Sequence, residues 1–216
     1  MLSHYISQSP YVAILRGLSP DEAVPVTTAL VDAGMRVIEV PLNSPNPLES
    51  IRILAKRFGE TCLIGAGTVL TVEAVHAVHE AGGRVLVMPH ADTVIIRAAK
   101  ALGMICTPGI ITPTEGFAAL AAGADALKLF PAELAGPSVL RAMRAVFPSD
   151  TMFMPVGGIS PETVASFVAA GASGFGLGSG LYVPGRSASE VGRRAVAYAD
   201  AWDRAKAGLP KAGPAS

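Results

Sequence analysis

Short apolar runs alternate with alanine-rich stretches along nearly the whole chain, and this alternation limits its fold more than any other feature. The runs are 11-YVAIL-15, 36-RVIEVP-41, 62-CLIG-65, 85-VLVM-88, 104-MIC-106, 126-ALKLF-130, 152-MFMPV-156 and 174-GFGL-177, eight in all. Each has strand length, and helically spaced segments lie between them. In the segment 20–34, Ala23, Val26, Thr27 and Leu30 fall at i, i+3, i+4 and i+7, and Gly34 stands where a helix-ending glycine belongs. Pro25 predicts a kink in this helix or a delayed start. Gly59, Gly82, Gly103, Gly123 and Gly171 mark further stops. Ser19-Pro20, Thr112-Pro113 and Ser160-Pro161 each supply a capping hydroxyl and then a first-turn proline, with Glu115 and Glu162 close behind the last two.

Strand then helix, eight times in about 200 residues, predicts an α/β protein with a parallel sheet and crossover helices. Eight units favour a (β/α)8 TIM barrel over an open doubly wound sheet, in one domain spanning residues 1–207. The nucleotide-binding open sheet would show GxGxxG after its first strand, whereas 15-LRGLSPDE-22 has one glycine. The Gly/Pro-rich tail, 208-GLPKAGPAS-216, is expected to fray.

The 17 basic side chains balance 17 acidic ones in 216 residues, so bulk charge draws the chain to neither nucleic acid nor an anionic membrane. The start, 1-MLSHYISQSP-10, lacks the basic and apolar parts of a signal peptide, and no apolar run reaches the ~20 residues of a membrane span. Cys62 and Cys106 sit in apolar runs without a CxxC and read as reduced core thiols of a cytoplasmic protein. His76 and His79 read as a solvated pair away from the strand ends. His90 follows the fourth run and lies nearer to them. No Glu/Asp/His cluster has metal-ligand spacing, and neither metal nor cofactor is expected.

The chemistry of a barrel belongs at the C-terminal ends of its strands. Arg16 ends the first run, Glu39 lies within the second and Lys128 within the sixth. A buried charge is costly unless it is paired or neutralised, and one alone could be half of a structural ion pair. Three charges of both signs, each near the end of its own strand, point to a site. The ends of strands seven and eight read Gly157-Gly158 and 176-GLGSG-180, with Ser160-Pro161 opening a helix. Glycines there let the backbone approach a ligand, and free N–H groups at the helix start suit a phosphate. Desolvation favours a neutral Lys128 amine, which attacks carbonyls to form a Schiff base. Glu39 would move protons and the planar Arg16 fork would hold a carboxylate. The set suits a 2-oxo acid with a phosphate at its far end.

The ordered motifs 13-AILRG-17, 38-IEVPLNSP-45, 64-IGAGTV-69, 128-KLFPAE-133, 155-PVGGISPE-162 and 176-GLGSGLY-182 resemble the 2-keto-3-deoxy-6-phosphogluconate/phosphogalactonate aldolase family, from about Tyr11 to Tyr182. The resemblance implies a metal-free class I aldolase on a (β/α)8 barrel. It also implies a homotrimer that cleaves a phosphorylated 2-keto-3-deoxy acid to pyruvate and glyceraldehyde 3-phosphate. It makes Lys128 the Schiff-base lysine and Glu39 the acid/base. Arg16 and Thr68 fall near the pyruvoyl carboxylate, and Gly157, Gly158, Gly178 and Ser179 in the phosphate cradle. Phe130 and Pro131 would shape the pocket wall. Two branches differ at C4 of the substrate. Asn43 stands where the gluconate branch carries an arginine, and Val156 where it carries threonine; both resemble the galactonate branch. The run 130-FPAE-133 is more like the gluconate branch. Other readings are a non-catalytic phosphate-binding barrel, an isomerase or synthase on such a barrel, and a metal-dependent pyruvate aldolase.

Overall fold

The computed structural model describes residues 2–208. A short helix α1 (Leu2–Gln8) comes first. Then β1 (Tyr11–Ile14), α2 (Pro20–Asp32), β2 (Val37–Pro41), α3 (Pro47–Phe58), β3 (Leu63–Gly67), α4 (Val72–Glu80), β4 (Val85–Val87), α5 (Thr93–Ala101) and β5 (Ile105–Thr107) alternate. After β5 come β6 (Gly109–Ile110), α6 (Pro113–Ala121), β7 (Leu127–Leu129), α7 (Ala132–Arg144), β8 (Phe153–Pro155), α8 (Pro161–Ala169), β9 (Phe175–Leu177) and α9 (Ala188–Ala207). The fold is α/β with parallel strands. Six form a half-barrel sheet in the order β5-β4-β3-β2-β1-β9, and three form a second sheet in the order β6-β7-β8.

Eight apolar runs thus become nine strands. Pro108 separates β5 from β6; it has no N–H to donate, and the ladder passes from one neighbour to the other there. β5 pairs with β4, and β6 with β7. Backbone hydrogen bonds also cross between the sheets. The Asp125 and Lys128 amides donate to the carbonyls of Cys106 and Pro108, and the Ser173 amide donates to Phe153 O at 2.9 Å. Val156 forms a parallel bridge with Gly176.

Helix ends follow local chemistry. At the end of α2 the Met35 amide donates to Leu30 O and the Gly34 amide to Val31 O, with Gly34 at φ 90°. This is a Schellman stop, which absorbs carbonyls left open by the last turn. Gly82, Gly103, Gly123 and Gly171 repeat it, whereas Gly59 keeps right-handed helical backbone. Pro25 lies inside α2 without delaying its start. The Ser160 cap pairs with Thr163 rather than with Glu162, because Thr163 occupies the third helical position.

Successive strand residues face opposite ways, which gives the core two parts. Outward residues such as Ile38, Val40, Leu86, Leu127, Leu129 and Phe153 pack under the helices. Inward residues Val12, Val37, Leu63, Val85, Ile105, Ala126 and Met154 form a separate apolar cluster joined by Leu2 and Ile6 of α1. Helix α1 therefore covers the inner core, and each of its two anchors contributes about 1.5–3 kcal/mol by burial. The first ten residues gave no sign of this helix, because two apolar positions four apart are too short a periodic signal. Cys62 and Cys106 are free and buried. No described helix is long and apolar enough to cross a membrane. Of the tail 208–216, all but Gly208 lies outside the described residues.

Candidate active site

Strand alternation decides where the two buried charges go. In β2, Ile38 and Val40 join the outer core, so Glu39 faces inward with Val37. In β7, Leu127 and Leu129 face outward and Lys128 faces inward, as does Ala126 just before the strand. Glu39 is 2% exposed and Lys128 7%. Both line one cavity of about 510 Å³ at the C-terminal ends of the strands. Arg16, Asn43, Thr68, Phe130, Val156, Gly157, Gly158, Gly178 and Ser179 line the same cavity, whereas Pro131, expected in the pocket wall beside Phe130, does not line it; it is the residue that opens α7.

The environment works against charge. Burial pushes the Glu39 carboxyl up to about 7, while the positive charges of Lys128 and Arg16 pull it back. Its Oε2 atom has no hydrogen-bond partner among the described residues. Burial holds Lys128 below the usual lysine range; Glu39 opposes that shift and Arg16 adds to it. The Lys128 Nζ atom lies 4.5 Å from the Phe130 ring centroid. A lysine readily freed of its proton, beside a carboxyl poised near neutrality, can act as nucleophile and proton carrier.

Arg16 is held from two sides. Its Nη1 donates to Asn43 Oδ1 at 2.5 Å, and Nη1 and Nη2 approach Thr68 Oγ1 at 3.5 and 3.4 Å. Thr68 adopts φ 55°, a left-handed backbone that β-branched residues rarely accept. Such strain costs of order 1–3 kcal/mol and collects at functional sites. Asn43, which the sequence marked only as a difference between the two branches, is therefore the anchor of Arg16.

The sequence reading missed the part played by glycines inside strands. A Cβ on Gly67 would lie 2.0 Å from Glu39 Oε2, so β3 leaves space that the carboxylate occupies. A Cβ on Gly176 would meet Val156 Cγ2 at 2.6 Å. Glycine in a strand interior is itself the usable signal, since it marks a close approach. The wall formed by Tyr182, Val183 and Pro184 was also missed. Pro184 seats on Gly17, where a Cβ would come within 2.5 Å of its Cγ.

At the other end of the cavity, Gly157 and Gly158 take φ 105° and 66°, just before the Ser160 cap of α8. Glu133 packs behind them; a Cβ on Gly157 would lie 2.0 Å from its Oε2. His90 is not among the cavity-lining residues, and its Nδ1 is buried without a partner among the described residues. His76 and His79 are exposed on α4. A second depression of about 540 Å³ lies between Pro20, Leu42, Pro47 and Ala77; it is largely apolar and holds none of the site groups.

Comparison with known proteins matches residues 2–190 to the family described as Aldolase: KDPG and KHG aldolase. The chain belongs to this family. A Rhizobium meliloti relative named a probable 2-dehydro-3-deoxy-6-phosphogalactonate aldolase is 49% identical, over 91% of this chain and 92% of that protein. A solved structure titled native KDPGal structure is 44% identical with a TM-score of 0.91, covering 92% of this chain and 96% of the other. A KDPG aldolase from Legionella pneumophila, its title recording pyruvate captured as a covalent carbinolamine, is 27% identical with a TM-score of 0.83, covering 92% and 98%. The α/β fold of this chain matches that of the solved KDPG and KHG aldolase structures.

Proposed function

We propose that this chain is a Schiff-base aldolase that cleaves 2-dehydro-3-deoxy-6-phosphogalactonate to pyruvate and glyceraldehyde 3-phosphate. The observation that carries the reading is the pairing of Lys128 and Glu39 in one cavity, both buried and both shifted toward neutrality. The neutral Lys128 amine attacks the C2 ketone, and loss of water leaves an iminium. Glu39, through a water, takes the C4 hydroxyl proton. The C3–C4 electron pair flows into the iminium, C4 leaves as the aldehyde, and an enamine remains. Protonation at C3 and hydrolysis release pyruvate and restore Lys128. Arg16 and Thr68 hold the carboxylate, Phe130 walls the pyruvoyl end, and Gly157, Gly158, Gly178 and Ser179 hold the phosphate. Fixing the far end places the C4 hydroxyl beside its base, and positioning of this kind supplies several kcal/mol.

The galactonate epimer is favoured by Asn43 and Val156 and by the names of relatives at 44–49% identity. The 130-FPAE-133 run supports the gluconate epimer as second reading. Pyruvate release from the two C4-epimeric acids, compared as kcat/KM, tests the choice. A preference for the gluconate epimer would overturn the first reading. Borohydride reduction with pyruvate tests the lysine, since only a working imine leaves a stable adduct.

We also read the two sheets as one closed (β/α)8 barrel spanning residues 1–207, with β5 and β6 as halves of a single strand. The bonds across the gaps between the sheets support this. A cytoplasmic homotrimer completes the reading. It draws on the family resemblance and on a 44% identical neighbour, whose title describes a cage made by fusing symmetric oligomeric domains. Sedimentation at a mass other than three chains would refute the trimer.

A further inference from the structure

The turn after β9 is held from behind by α9 and by the loop that leads into it. The Leu181 and Tyr182 amides both donate to Gly178 O, at 2.9 and 3.0 Å, and so close the turn. The Ser179 and Gly180 amides donate to no protein carbonyl or side chain among the described residues. The carbonyls of the same two residues are taken. Arg186 Nη1 donates to Ser179 O at 3.1 Å and reaches Gly180 O at 3.5 Å. Arg194 Nη1 donates to Gly180 O at 3.1 Å, while its Nε is tied to Glu190 Oε1 at 2.8 Å. Tyr198 supplies a third restraint. Its hydroxyl donates to Ile159 O at 2.8 Å and lies where a Gly180 Cβ would come within 2.3 Å. One helix thus grips both glycine loops of the cavity.

We propose that Arg186, backed by Arg194, is a positioning residue for the substrate phosphate, acting through the peptides of the Ser179–Gly180 turn. In a trans peptide the C=O and N–H point opposite ways. A guanidinium that holds the Ser179 carbonyl on one side of the turn aims the Gly180 amide to the other side, where Ser179 and Gly180 line the cavity. The charge also polarises that peptide, so its N–H becomes a stronger donor to an anion. The turn is bound before any ligand arrives, and the cost of ordering it is not drawn from the binding step. Arg186 follows Pro184 and Gly185, and its amide donates to Val183 O at 3.1 Å. The segment that walls the cavity therefore also supplies the residue that fixes the turn. The sequence hides this, because Arg186 lies outside every glycine motif and its partners are main-chain carbonyls.

The inference rests on the aldolase reading for its ligand, and its test separates the two. Inorganic phosphate serves as probe, measured as a competitive inhibitor of cleavage in the intact protein and in Arg186→Ala, Arg186→Lys and Arg194→Ala. The phosphate inhibition constant and KM should rise about tenfold in Arg186→Ala, the scale of one charge-assisted hydrogen bond. Arg194→Ala should show a smaller rise, and Arg186→Lys should recover part of the loss. Borohydride trapping of pyruvate, which carries no phosphate, should stay at the parent level and reports that the site is folded. An unchanged phosphate constant in Arg186→Ala, with the parent inhibited, overturns the role of Arg186. A parent that phosphate does not inhibit overturns the cradle itself. A parallel loss of pyruvate trapping would make Arg186 merely structural and also overturn the proposal.

Discussion

Replacing Gly67 with alanine tests the geometry of the proposed base, Glu39, without touching a charged group. The added Cβ would sit 2.0 Å from Glu39 Oε2 and 2.4 Å from its Cδ and Oε1, where ordinary contact begins at 3.4 Å. The carboxylate must therefore retreat by about 1.4 Å, or β3 must bend away from β2. Gly67 does not have a positive φ, so the strain is steric. Overpacking of this kind costs about 1–3 kcal/mol of stability. A reacting group displaced by 1 Å loses roughly 10²-fold in rate. Gly67→Ala is thus expected to lower kcat for cleavage about 100-fold while the protein stays folded at 25 °C. Lys128 lies on a different strand, so the final extent of pyruvate trapping by borohydride should hold. Cleavage within about threefold of the parent would refute the argument that β3 is glycine here to make room for Glu39.

Other outcomes follow from the same site. Lys128→Ala should abolish both cleavage and borohydride trapping; substantial turnover would remove Lys128 from its role. In the parent, kcat/KM should climb as pH rises through about 7, because the Glu39 base form gains population there and the Lys128 amine loses its proton in the same direction. Glu39→Gln should slow cleavage by roughly 10²–10⁴-fold. It should also move the pH profile of pyruvate trapping to lower pH, since Glu39 is the charge that raises Lys128; an unmoved profile contradicts the coupling. Arg144 donates to the carbonyls of Gly171 and Thr151 and to Ser173 Oγ, all just before β8 and β9 and remote from the site. Arg144→Met leaves those acceptors open and should cost about 2–3 kcal/mol, read as a lower Tm with kcat unchanged.

Much of this protein is decided within short windows of sequence. Strand–helix alternation, the glycine that ends α2 and the hydroxyl–proline helix starts depend on neighbours a few residues apart, so they are readable without the fold. Lys128 and Glu39 are legible for the same reason: a charge inside a short apolar run is a local contradiction. What lies between distant segments was decided only by tertiary structure. Pro108 reads as an ordinary loop proline until β5 and β6 are seen pairing with different neighbours. Gly67 reads as a loop glycine until Glu39 from β2 is found beside it. The inward face of Leu2 and Ile6 needs an open end of the inner core to cover. Arg186 looks like a surface charge until the turn after β9 presents its carbonyls. Local preference sets which elements form; which side chains share a space depends on chain segments brought together across dozens of residues, and no window of the sequence contains both partners.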